Sequence, residues 1–209
     1  MRAKKLEPDA ICEAIARVQP FVCADPARTH MDSAFHCGLW GRPFVCATDG
    51  HTAAIVHCPG ANADTIARPP GAERPPPLDV VISKNAEKIG EICASKLECL
   101  RGFPAKWKAI VDFARLESPR LNLSREVRHG KKTETIQIVT AASLPFANPL
   151  EVSTAVQVCY LLRALDFCAD ELVTVWREGD DEEAPILFST GSDGYQQATR
   201  VAIVMPCRR

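Results

Sequence analysis

Apolar residues recur at two different periods along this chain, and the switches between them mark its elements. Ile11, Ala14, Ile15 and Val18 stand at helical spacing within residues 8–19. Pro8 suits a first helical turn, where its missing N–H goes unused, and Asp9 and Glu13 favour the positive end of the helix dipole. Pro20 ends the run, and a short strand near residues 4–6 is expected before it. Short strands are predicted near 31–38 and 43–47, and another over 53–56. Between the last two lies Thr48-Asp49-Gly50-His51, a tight polar turn in which Gly50 accepts the positive φ of a two-residue hairpin.

Residues 59–77 carry six Pro with Gly60 and Gly71 and read as an extended linker. The pattern then restarts. A strand is predicted over 78–82, and Ser83 is placed to cap a helix over 84–100 striped by Ile89, Ile92, Cys93, Lys96 and Leu97. Strands follow over 109–116, 120–125 and 134–140, the last two joined by a turn at Gly130-Lys-Lys. After a Pro-containing connector at 143–150 the same order returns: a strand near 151–155, a helix over 156–168, and strands at 172–177, 185–189 and 199–205. The acidic run 179–183 fits a solvated hairpin loop. The chain therefore divides into three β-α-β-β-β units, residues 1–58, 78–142 and 151–209, an α+β organisation built by repetition.

Composition narrows the function. At 209 residues and 46% hydrophobic the chain buries a substantial core, and a formal net charge of −1 excludes bulk polyelectrolyte binding. Residues 78–149 hold 12 Lys and Arg against 8 Asp and Glu, whereas residues 150–209 hold 5 against 10. That distribution suits a protein showing nucleic acid one basic face. The basic N-terminus has no apolar run behind it, and no window approaches a membrane span, so a cytoplasmic location is expected. Ten Cys occur without any Cys-x-x-Cys, so reduced, structural thiols are expected rather than disulfides or metal ligands. His57-Cys58 lacks a partner pair, and Gly191-Ser-Asp-Gly194 reads as a hairpin turn rather than a phosphate loop. No nucleophile–base constellation assembles, so neither catalysis nor a cofactor or metal is expected.

Two segments carry chemistry together: Ala47-Thr-Asp-Gly-His51, and far downstream Ile203-Val-Met-Pro-Cys-Arg208, where Pro206 stops a strand. In this order they resemble the bacterial DNA polymerase sliding clamp, the β processivity subunit. The resemblance implies the DNA-clamp fold, with the helices of repeated units on one face of antiparallel sheets. It also implies a pocket gripping short peptides of polymerases and the clamp loader. Its positions fall on Thr48, Gly50, His51, Thr52 and Ala53, and on Ile203, Val204, Met205, Pro206 and Cys207, with Met31 as an apolar wall. The family usually carries Arg where Thr52 stands and often Met where Cys207 stands, so peptide preference is expected to differ.

Double-stranded DNA would be held through phosphates, independent of sequence. Candidates are Arg17, Lys84, Lys88, Lys96 and Arg101 on the first two helices, with Arg28 and His30 in the 25–30 loop. Set against the family, a first domain and a half-domain are missing, which puts the usual two-chain ring in doubt. A homo-oligomer of four such chains, or three if a further unit exists, would close a ring. The implied function is a processivity factor that encircles DNA. The alternative is a clamp-like adaptor that binds the same peptides without encircling DNA.

Overall fold

The computed structural model describes residues 8–62, 66, 78, 82, 85–93, 111–117, 122–129, 131–138, 142–143, 153–168, 172–177, 183–191 and 194–207. Helix α1 spans Pro8–Val18, and strands β1 (Phe35–Leu39), β2 (Arg42–Thr48) and β3 (Thr52–His57) follow it. Next come β4 (Glu87–Cys93), β5 (Val111–Glu117), β6 (Asn122–His129), β7 (Lys132–Ile138) and the two-residue β8 (Ala142–Ser143). Strand β9 (Ser153–Gln157) runs directly into helix α2 (Val158–Phe167), ahead of β10 (Leu172–Arg177), β11 (Ile186–Thr190) and β12 (Arg200–Val204).

The strands form two antiparallel sheets. The larger has the order β1-β2-β3-β12-β11-β10-β4-β8, and the smaller β7-β6-β5-β9. Early and late segments of the chain meet at the centre of the larger sheet, where β3 pairs with β12 from Thr52↔Val204 to Arg200↔Val56. One residue further on, the Met205 N–H donates to the His51 carbonyl at 2.9 Å. The pairing therefore continues into the turn.

Strand alternation gives this sheet two apolar faces. Val45, Ala47, Ala54, Val56, Val175, Phe188, Ala202 and Val204 form one core with α1 and α2. Alanines at 47, 54 and 202 leave room for helix backbones to come close. Ala14 and Val18 of α1, and Leu161, Ala164 and Leu165 of α2, are buried there. Both helices cover the same face, as the resemblance implies. The opposite face buries Phe44, Cys46, Ile55, Trp176, Leu187 and Ile203, with Leu78 and Ile82 packed among them. The β1–β2 hairpin turns at Trp40 and Gly41, with φ of 51° and 72°. The Trp40 ring meets the edges of Phe44 and Tyr195 at 5.5 and 5.4 Å, which holds a bulky residue in a conformation it otherwise avoids.

Two predicted elements are corrected. The helix expected over 84–100 is, over residues 87–93, strand β4, paired with β10 from Arg177↔Glu87 to Leu172↔Cys93. The register shifts between Val175 and Trp176, leaving Ile89 as an extra residue. Such a bulge breaks the two-residue alternation, so Ile89 and Ile92, three apart, join the same core. Three-residue spacing was the signal that suggested a helix. Conversely, the strand expected over 78–82 carries a helical bond, with the Ile82 N–H donating to the Leu78 carbonyl at 3.0 Å. The strand near residues 4–6, the cap at Ser83 and the turn glycine Gly130 lie outside the described residues.

Cys12, Cys23, Cys37, Cys46, Cys58, Cys159, Cys168 and Cys207 carry reduced thiols. Cys46, Cys58 and Cys168 are buried, whereas Cys12 and Cys159 are exposed, so burial describes only part of the set. Among the described residues no group of three or more His, Cys, Asp or Glu could hold a metal ion. Among them too, no helix is long and apolar enough to cross a membrane.

Candidate functional site

The turn between β2 and β3 is fixed by its own polar side chains. The Thr48 hydroxyl donates to the Thr52 carbonyl at 2.7 Å and accepts the Gly50 N–H at 3.1 Å. Asp49 Oδ1 accepts the N–H groups of His51 and Thr52 at 2.9 and 2.7 Å, and the Thr52 hydroxyl at 3.0 Å. Gly50 sits at φ 87°, a conformation an L side chain rarely adopts. A β-carbon there would also stand 3.1 Å from Arg28 Nη1 and 3.7 Å from Met31 Sδ. The other Asp49 oxygen, Oδ2, accepts from Arg163 Nη1 at 2.6 Å.

Burial alone would raise the Asp49 pKa. The bonds from Thr52, His51 and Arg163 outweigh it and hold the carboxyl below its ordinary value, so Asp49 is anionic at neutral pH. The His51 ring stacks on Tyr160 of α2, with centroids 5.4 Å apart and planes 11° from parallel. Burial, followed by the Asp49 charge, raises the Tyr160 pKa, which keeps its hydroxyl neutral.

Beside this turn opens a cavity of about 210 Å³. The turn supplies Thr48, Gly50, His51, Thr52 and Ala53, and the end of β12 supplies Ile203 and Met205. Met31 and Leu78 complete the lining, which is predominantly apolar. Met31, Thr48, Gly50, His51, Thr52, Ala53, Ile203 and Met205 are thus brought together from three separate stretches. Val204 is not among them. Strand alternation sends it to the helix face, where it is buried beneath α1 and α2. Pro206 and Cys207 lie half-buried just beyond the cavity, and the Cys207 N–H donates to the Ala155 carbonyl at 2.8 Å.

Of the residues expected to meet DNA, the described ones fall on a helix, a loop, a short turn and a strand. Arg17 lies on α1, 2.7 Å from Glu13. Arg28 Nη1 donates to the Asp49 carbonyl at 3.3 Å, so this arginine stands at the cavity rim. His30 is in a short 3₁₀ turn, Thr29–Met31. Lys88 is on strand β4, paired with Glu91, which removes the helical spacing it was expected to share with Lys84 and Lys96. Lys84, Lys96 and Arg101 lie outside the described residues. A second cavity, about 600 Å³, runs between α1 and α2 and is lined in part by Arg17, Arg163, Asp166 and Arg200.

Sequence reasoning missed Leu78, Tyr160 and Arg163. A signal existed for the last: it is the one cation in Val-Cys-Tyr-Leu-Leu-Arg-Ala-Leu-Asp-Phe, an otherwise largely apolar helix. A cation so placed needs a partner. Leu78 gave none, because its residue neighbours suggest a strand.

The architecture that holds this cavity is the sliding-clamp fold. A Caulobacter crescentus β sliding clamp superposes with a TM-score of 0.74 at 13% identity, covering 98% of this chain and 64% of that one. For the DNA polymerase sliding clamp of Bacillus subtilis the TM-score is 0.70 at 14% identity, covering 97% and 63%. For the sliding clamp (DNA polymerase III subunit beta) of Bartonella birtlesii, solved bound to griselimycin, it is 0.73 at 13% identity, covering 98% and 65%. The chain thus spans somewhat less than two thirds of the clamps it superposes on. No protein-family model and no curated protein matches it.

Proposed function

We propose that this protein is a sliding-clamp-like processivity factor whose cavity beside the Thr48–His51 turn grips short, extended peptides of DNA polymerases and their loading proteins. The observation carrying this reading is the assembly of that cavity from the turn and the end of β12, the two segments the resemblance singles out. Its lining supports the chemistry: Met31, Leu78, Ile203 and Met205 offer an apolar floor, and thioether side chains adapt to more than one ligand. Burying two large apolar side chains of a peptide would contribute about 3–6 kcal/mol, a large part of the roughly 8 kcal/mol of micromolar binding.

Met205→Ala combined with deletion of residues 207–209 is expected to weaken binding at least about 30-fold, an effect of about 2 kcal/mol. Fluorescence anisotropy with a labelled pentapeptide carrying two adjacent large apolar side chains reads this. Unchanged affinity would remove the pocket assignment.

In this reading sequence-independent contacts hold duplex DNA inside a ring of several copies, with Arg17 on α1 among the basic groups. The alternative is a clamp-like adaptor that binds the same peptides without encircling DNA, and DNA topology separates the two readings. A ring is expected to stay on a nicked circular duplex and to slide off its linear form, as a multimer in light scattering. A monomer indifferent to DNA topology would leave the adaptor reading standing.

A further inference from the structure

We propose that Arg163 is a positioning residue for the peptide cavity, a lock by which helix α2 holds the turn that forms the cavity wall. This rests on the peptide-pocket reading. Arg163 is not itself among the residues that line the cavity; it acts through Asp49 and Thr52. Its Nη1 lies 2.6 Å from Asp49 Oδ2 and 3.4 Å from the Thr52 hydroxyl, joining residues 114 and 111 apart in sequence. The guanidinium also lies over the rings of Phe21 and Tyr160, 5.7 and 5.8 Å from their centroids. Aromatic flanks of this kind favour a planar, delocalised cation over a compact ammonium.

The consequence follows from what Asp49 holds. Its Oδ1 fixes the His51 and Thr52 amides, and so sets how His51 and Gly50 face the cavity. Its Oδ2 is held by Arg163, so the carboxylate plane, and with it the turn, is referred to α2. Tyr160, one helical turn before Arg163, receives the His51 ring on the same side. Two contacts from one helix therefore align the turn with Met205, whose N–H is bonded to the His51 carbonyl. The charged groups facing Asp49 are Arg163 from α2 and Arg28 from the loop before β1, with the neutral Tyr160 beside them.

The test uses the full chain carrying Arg163→Gln or Arg163→Lys, with the labelled pentapeptide as probe and binding read well below the unfolding temperature. Arg163→Gln is expected to lower affinity about 10-fold or more, and Arg163→Lys to restore part of it. Because Arg163 lowers the Asp49 pKa, the acid limb of wild-type peptide affinity should move to higher pH in Arg163→Gln. Wild-type affinity and an unmoved acid limb in Arg163→Gln would overturn the lock. So would a loss that only follows the unfolded fraction. A second readout is independent of any peptide: carboxyl NMR titration of Asp49 and hydrogen exchange of the His51 and Thr52 amides. Arg163→Gln should raise the Asp49 midpoint and speed both exchanges; no change overturns the lock even if the wild type binds no peptide. Failure of the wild type to bind, with the turn still loosened by Arg163→Gln, would instead overturn the pocket reading.

Discussion

Asp49→Ala is expected to lower the unfolding free energy by about 2–4 kcal/mol and to remove peptide binding. Four donors lose their acceptor at once: two backbone N–H groups, the Thr52 hydroxyl and Arg163. Arg163 keeps about a third of its side chain exposed, so water offsets part of its loss, and the upper end of that range is not expected. The turn amides are less forgiving, since Thr52 is buried. Asp49→Asn separates these terms, because its amide oxygen still accepts from the turn while the charge facing Arg163 is gone.

The pH dependence then has a definite sign. The folded carboxyl titrates below its unfolded value of about 3.9, so its contribution is complete above that pH and is lost as pH falls through the lower, folded value. The stability gap between wild type and Asp49→Asn should therefore be constant near neutrality and close in acid. Urea melts at several pH values measure it. A gap unchanged down to pH 2 would show that charge at Asp49 does not matter.

Phe188→Ala should have the largest effect on stability, about 3–5 kcal/mol. Phe188 is fully buried on β11, between Ala202 of β12 and Val175 of β10, on the face covered by the helices. Its carbonyl accepts the Cys168 thiol at 3.3 Å, which ties the end of α2 to the same strand. Domains of this kind typically hold about 5–15 kcal/mol in total, so the variant should be close to unfolding at 37 °C. Chemical denaturation followed by circular dichroism measures the shift. A loss below about 1 kcal/mol would mean that α2 settles onto the sheet and fills the space.

The parts legible in the sequence were those decided by neighbouring residues. Asp49-Gly50 announces its turn because few other pairs satisfy the backbone there, and Ile11, Ala14, Ile15 and Val18 reveal α1 by spacing alone. Lateral order was hidden. Nothing local tells β12 to lie against β3, or Arg163 to find Asp49, because those partners are chosen by sheet packing across more than a hundred residues. Strand β4 misled for a different reason. A bulge at Ile89 turns three-residue spacing into a single strand face, so the period imitated a helix. At Val204 the motif ran through consecutive residues, yet a strand shows only alternate ones to a given side.

The pairing of β3 with β12 also has a consequence during biosynthesis. A nascent chain halted short of residue 200 already possesses the Asp-Gly turn and α1, but neither the strand that flanks β3 nor Met205 beneath the cavity. Contacts between such distant segments form late in folding. On the proposed peptide-binding reading, recognition would be withheld until translation has passed Met205, and prematurely terminated products would not compete with finished molecules for the same peptides.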